Sequence, residues 1–296
     1  MRTILVPLDG TEISEAALGW AAGAAYRAES SLRLISVVSN LAGAQTPIYS
    51  ADQYLEEKAR TLTADGIKVD YEVIEGDASE VILRESEQAD LTALTSGTRR
   101  WAVSEVLDRV LQSMSSPLAV VRGDDRQLRG AINLDSILVP LSEASYSSAI
   151  LPATVDVATA LRANLTLFRN VEVRGDELDS NGLPRIMPTL RAQLAEAEES
   201  LDVSAEALRK QGLEVETMIS CGDHVAEIFK AARSVHAGLI AMATRGRGGL
   251  KDRTSESVAC SVLETATVAC LIVRAGPPSE SVRASAAQPV TDAVSP

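Results

Sequence analysis

Two short apolar runs, Ile4-Leu5-Val6-Pro7-Leu8 and Ile137-Leu138-Val139-Pro140-Leu141, repeat almost letter for letter 133 residues apart. Both are continuous rather than alternating, the pattern of strands buried on both faces of a parallel sheet. Each is followed by turn residues and then by Ala and Leu at helical spacing, over Glu12 to Arg27 and Ser145 to Arg162. Further runs in the first copy predict strands near 32–38, 68–74, 91–95 and 117–122. Parallel neighbours need crossover connections, and the intervening helices supply them with right-handed sense. The predicted pattern is βαβαβαβαβ, a doubly wound five-stranded parallel sheet of the Rossmann-like α/β class.

The second copy follows in order. Leu32 to Val38 answers to Leu165 to Val171 at the same offset of 133, Gly76-Asp77 to Gly222-Asp223 at 146, and Pro117 to Arg122 to Ala269 to Arg274 at 152. An offset that only grows is the mark of duplication followed by loop insertion, so the chain reads as two domains in tandem. Their expected bounds are 1–123 and 133–276, with a linker over 124–132 and a disordered Ser, Ala and Pro tail over 277–296. Thr11 is placed to cap the first helix, and Gly66 and Gly212 to stop the second helix of each copy. Pro152 falls inside the first helix of the second copy, where a kink is expected.

Charge narrows the partners. With 41 acidic against 28 basic residues the net charge is -13, which repels nucleic acid and anionic membrane surfaces. Cys221, Cys260 and Cys270 form no close pair and no cluster with His224 and His236, so reduced structural thiols are expected rather than a metal or redox centre. No apolar stretch approaches a signal-peptide core or the roughly 20 residues of a membrane span, which makes a soluble cytoplasmic protein the expectation.

In an open parallel sheet ligands bind beyond the carboxyl ends of the strands, where strand order reverses. That directs attention to Asp9-Gly10 and Ser142-Glu143 after the first strands, and to the segments after the fourth. Ala243 to Val258 holds Gly246, Gly248 and Gly249 together with Arg245, Arg247, Lys251 and Arg253, ahead of a helix start at Ser257. Backbone N–H groups freed by glycine beside a helix N-terminus make an anion site, phosphate being the usual guest. A solvated turn with scattered charge is the other reading, since the loop fits neither a Walker A sequence nor GxGxxG.

Taken together, Ile4 to Glu12 (ILVPLDGTE), Gly76 to Glu80, Ala89-Asp90-Leu91 and the stretch from Thr244 to Leu250 with Ala269 to Arg274 resemble the universal stress protein domain, in both copies. The resemblance implies an adenine-nucleotide α-hydrolase-like fold. It also implies, in nucleotide-binding members, an Asp after the first strand and a G-x-x-G loop followed nine residues later by G-S or G-T around the phosphates. Carried over, the candidate site of the second copy comprises Pro140, Ser142, Asn170, Met242, Ala243, Gly246, Arg247, Gly248, Gly249, Glu256, Ser257 and Val258. Ala243 and Glu256 stand where motif glycines are required, and Ser142 where the Asp would be. The first copy offers Pro7, Asp9, Val37 and Gly97, with Asp9 in place but a loop four residues shorter and Glu105 at the Ser or Thr position. Each copy keeps what the other has lost, although a family site lies within one domain.

The family also implies that the last strands of the two copies, Pro117 to Arg122 and Ala269 to Arg274, pair with each other, because exposed apolar edges invite aggregation. Other features read more plainly. Asp9 is either a turn residue or a ligand contact, Gly76-Asp77 and Gly222-Asp223 are turns before helices, and the two histidines are surface or helix-end residues. No Ser/His/Asp arrangement can be assembled. The expected function is a non-enzymatic stress-response binding and assembly module, with ATP or AMP and Mg²⁺ as candidate ligands of a degraded site, and with a homodimer and unidentified proteins as candidate partners. The alternatives are a slow ATPase or adenylating enzyme, and a structural pseudo-dimer without ligand.

Overall fold

A computed structural model describes residues 1–38, 48–96, 104–123, 132–142, 147–173, 188–244 and 258–275. The first half runs β1 (Thr3–Pro7), α1 (Glu12–Ala28), β2 (Ser31–Val38), α2 (Ile48–Ala64), β3 (Lys68–Glu75), α3 (Ala78–Ser86), β4 (Leu91–Thr95), α4 (Glu105–Ser113) and β5 (Leu118–Val121). The second runs β6 (Ser136–Pro140), α5 (Leu151–Leu161), β7 (Asn164–Val171), α6 (Pro188–Arg209), β8 (Val215–Cys221), α7 (His224–Ser234), β9 (Leu239–Thr244), α8 (Val258–Thr265) and β10 (Ala269–Arg274). The βαβ alternation expected from the apolar runs is present in both halves, with the strands close to their predicted positions.

All strands join one ten-stranded sheet, in the order β3-β2-β1-β4-β5-β10-β9-β6-β7-β8. Within each half the strands are parallel. The junction is antiparallel, with Cys270 opposite Val120, Leu271 opposite Ala119 and Ile272 opposite Leu118. The expected pairing of the two last strands is therefore the seam of the molecule. One face of the sheet, including Ile4, Val6, Ala119, Val121, Ile137, Val139 and Leu271, shares a continuous apolar core with α1 and α5. The other, including Leu5, Leu118, Val120, Leu138, Phe168 and Ile272, packs on α3, α4, α7 and α8.

Local chemistry explains the helix ends. Thr11 accepts a hydrogen bond from Ser14 N at 3.3 Å, as an N-cap should. Gly66 and Gly212 follow α2 and α6 at φ of 85° and 87°, left-handed values that a Cβ would strain. Asp77 and Asp223 cap α3 and α7. One expectation is corrected: Pro152 kinks nothing. The segment opens as a 3-10 turn at Ser147–Ile150, and Pro152 sits in the first turn of α5, where its missing N–H costs no helical bond.

Side chains lock the seam with an approximate two-fold logic. Arg122, just after β5, reaches the carbonyls of Glu264 and Ala266 at the end of α8, both at 3.5 Å. Its counterpart Arg274 donates to Gln112 O in the last turn of α4 at 2.9 Å. Cations at helix C-termini satisfy orphan carbonyls and oppose the negative end of the dipole. A further cross-link comes from Arg27 in α1, which bonds the Leu161 carbonyl, the Asp135 carboxylate and, at 3.3 Å, the Arg162 carbonyl.

At the chain start, Asp90 accepts from the N–H groups of Arg2 at 2.6 Å and Thr3 at 2.9 Å, tying β1 to the turn before β4. Burial alone would raise its pKa, but these two N–H donors, with the N-terminal and Arg2 charges, outweigh it and hold the carboxyl below its ordinary 3.8. A depressed folded pKa contributes stability above the unfolded value and loses it as pH falls through the folded one. Asp90→Asn, which keeps an acceptor but not the charge, is thus expected to lower the thermal midpoint near neutrality and to flatten its fall below about pH 4, the difference from wild type shrinking as pH drops through the folded pKa. Arg274→Ala is expected to cost about 1 kcal/mol in urea unfolding, by removing a charge-assisted bond to a helix end.

Candidate functional site

The two halves offer two crevices. β1 pairs with β4 only through Ile4 to Leu91 and Leu5 to Thr92, and β6 with β9 only through Ile137 to Leu239 and Leu138 to Ile240. Past those residues the neighbouring strands share no further pairs, and the next connection on each side runs the opposite way along the sheet, which is the switch point of a doubly wound fold. Because the seam is antiparallel, the carboxyl ends of the first five strands and of the last five lie at opposite ends of the sheet. Asp9 and the carboxyl end of β9 therefore stand at opposite ends of the sheet.

Both crevices begin alike. Leu8 N bonds Ile35 O and Leu141 N bonds Phe168 O, each at 2.8 Å, carrying the chain off the end of β1 and of β6. Asp9 N then donates to Ser14 Oγ at 3.4 Å, and Ser142 N to Ser147 Oγ at 3.2 Å. The serine hydroxyls return a bond to the turn, to Thr11 O at 2.8 Å and to Ser142 O at 2.9 Å. Sequence reasoning passed over Ser14 and Ser147, yet they stand 133 apart, in the register of the repeat.

The two turns differ in charge. Asp9 Oδ1 accepts from Thr11 Oγ1 at 2.6 Å and from Thr11 N at 3.0 Å. Burial would raise this carboxyl, but the Thr11 hydroxyl and N–H, followed by the Ser14 hydroxyl, hold it below the usual range. One oxygen of Asp9 is therefore committed to its own turn. Nearby, Glu15 of α1 accepts from Tyr54 Oη at 3.1 Å and pairs with Lys58 Nζ at 2.8 Å, both from α2. Burial first, then the Glu15 charge and hydrogen bond, push the Tyr54 phenol well up, so it remains a protonated donor. Pro7 is buried at the end of β1 and Val37 half-buried in β2, while Gly97 lies outside the described residues.

In the second half, Ser142 supplies an exposed hydroxyl where Asp9 has a carboxylate. Pro140 ends β6, Met242 and Ala243 lie near the end of the neighbouring β9, and Val258 is the first residue of α8. Gly246, Arg247, Gly248, Gly249, Glu256 and Ser257 fall outside the described residues. Asn170, near the end of β7, is engaged on every side. Its Nδ2 donates to Gly222 O at 2.8 Å and meets His224 Nδ1 at 3.0 Å, and its Oδ1 accepts from Ser220 Oγ at 2.9 Å. An amide Nδ2 only donates, so the neutral His224 ring accepts at Nδ1. The Asn170 side chain thus knits β7, β8 and the start of α7 together rather than pointing a free group into the crevice.

The two histidines sit at the ends of one helix. His224 opens α7, and His236 follows it at φ 50°. Among the described residues no group of His, Cys, Asp and Glu could hold a metal. Burial pushes the Cys270 thiol up to about 12, which leaves it un-ionised in the core. No helix among the described residues is long and apolar enough to cross a membrane.

Comparison with known proteins bears on these crevices. The model of the universal stress protein family matches residues 1–122 and again 133–274. A universal stress protein from Archaeoglobus fulgidus DSM 4304 superposes with a TM-score of 0.71 at 20% identity, over 93% of this chain and 98% of its own. A functionally unknown protein from Pseudomonas aeruginosa PAO1 superposes with a TM-score of 0.63 at 16% identity, over 93% of each chain. At such identities the likeness speaks for the fold, in both halves at once. Among curated proteins no sequence matches significantly.

The Asn170 network yields a test of its own. Asn170→Ala leaves the Gly222 carbonyl and the Ser220 hydroxyl without their partner and is expected to cost about 1–3 kcal/mol in denaturant unfolding. Asn170→Asp, nearly the same shape, is expected to cost at least as much, because a carboxylate oxygen would then face the Gly222 carbonyl.

Proposed function

We propose, from the premise that this chain belongs to the universal stress protein family with one domain in each half, that it is a non-enzymatic binding and assembly module whose one remaining nucleotide site is a weakened one in the second domain. The observation that carries the reading is the contrast between the two switch-point turns. The turn that keeps its carboxylate, at Asp9, has one oxygen tied to Thr11 and a shortened loop downstream. The turn that keeps the long glycine and arginine loop has only the Ser142 hydroxyl. A hydroxyl can bond a ribose or a base but lacks the charge-assisted strength of a carboxylate.

ATP or AMP, with Mg²⁺, is the ligand class that fits a loop rich in backbone N–H groups and Arg side chains. Glu256 works against it. A carboxylate about 5 Å from a phosphate charge costs roughly 3 kcal/mol at an effective dielectric of about 20, or about a hundredfold in affinity. Cytoplasmic location follows the same reading.

Thermal unfolding of the full chain with Mg-ATP, Mg-ADP or AMP tests this, since a ligand bound only by the folded state raises the midpoint. Wild type is expected to shift little, and Glu256→Gly combined with Ser142→Asp to bind ATP about a hundredfold tighter in a Mg²⁺ titration. Asp9→Ala in the full chain is expected to leave that affinity unchanged. No gain in the double variant would overturn the assignment of the loop as a phosphate cradle. Steady phosphate release from ATP by wild type would favour a slow ATPase instead.

A further inference from the structure

The ten-stranded sheet ends at β3 on one side and β8 on the other, and the two edges are built differently. β3 carries Lys68, Asp70, Glu72 and Glu75, charged side chains of the kind that keep an edge strand from recruiting another. Only Glu216 is charged in β8, which reads VETMISC. Leu165 N bonds Glu214 O and Gly222 N bonds Val171 O, so the even-numbered backbone groups of β8 face β7. By alternation those of Val215, Thr217, Ile219 and Cys221 point out of the sheet. Arg209 closes the first of these, its Nε and Nη2 donating to Val215 O at 2.9 and 2.7 Å. Among the described residues no strand pairs with the rest.

We propose that the stretch Thr217 to Cys221 is a docking edge for a second copy of this chain, β8 against β8, antiparallel about a two-fold axis at Ile219. That register uses every outward group except those of Val215, where Arg209 already sits. Thr217 then lies opposite Cys221 and Ile219 opposite its own copy, for about six backbone hydrogen bonds at two per pair. Glu216 falls opposite Gly222, so the lone charge of the strand meets no like charge. β3 paired about its central outward residue Tyr71 would set Asp70 against Glu72, like charges directly opposed. A β8 pair is isologous and closes, whereas β3 on β8 would propagate without end. The pairing would join two ten-stranded sheets edge to edge.

Each copy carries a net charge of -13, which opposes association at long range. Salt screens that repulsion over about 10 Å at 0.1 M, while short backbone bonds are little affected. The dimer is therefore expected to tighten as salt rises. Sedimentation velocity of the full chain, from low to high micromolar and at low and high salt, reads this directly.

A monomer–dimer equilibrium favoured by salt is expected. Thr217→Pro is expected to abolish it, because proline removes an outward N–H without breaking a bond to β7, a position edge strands admit. Tyr71→Pro at the β3 edge is expected to leave it intact. Amide exchange at Thr217, Ile219 and Cys221 in wild type is expected to slow as concentration rises, which decides the matter even if the proline variant does not fold. A monomer at every concentration overturns the proposal, as does a dimer whose concentration-dependent protection lies elsewhere.

Discussion

The antiparallel pairing of β5 with β10 is the contact on which the rest of the molecule depends. Each five-stranded half would otherwise expose a strand of Leu, Ala and Val, or of Cys, Leu and Ile, whose backbone groups face outward. Pairing them satisfies both edges at once. It also merges two domain-sized cores, so that α1 and α5 meet across the seam and one apolar cluster runs from Ile4 to Leu271. Arg122, Arg274 and Arg27 then fasten the seam at helix ends.

That same antiparallel relation decides how the two candidate sites stand to each other. Strands parallel within each half and opposed between halves send the switch-point crevices to opposite ends of the sheet. A duplicated chain could have evolved one site from complementary remnants, with Asp9 serving the loop of the second domain. Here Asp9 and the carboxyl end of β9 stand at opposite ends of the sheet.

Within each half the polar groups are largely occupied by the fold. Ser14 and Ser147 close the turns after the first strands. Asp9 gives an oxygen to Thr11, and Asn170 spends its whole amide on Gly222, His224 and Ser220. Such networks favour rigidity and a single arrangement over reactivity, and each bond diverted to a ligand would have to replace one already made.

Continuous apolar runs, their spacing and the growing offset of the repeat were enough to determine a tandem of doubly wound sheets, because burial on both faces leaves a parallel strand little choice of composition. Thr11, Gly66 and Gly212 were legible for the same local reason: a cap or a left-handed φ is set by the residue that must adopt it. Pro152 was misjudged since sequence marks a proline without saying in which turn the helix begins. Asn170 was legible as a position but not as a participant. Its partners Ser220, Gly222 and His224 are some fifty residues away in the chain and become neighbours only when β7 pairs with β8. The opposed crevices likewise follow from the direction in which two edges meet, a relation between distant strands that no local pattern encodes.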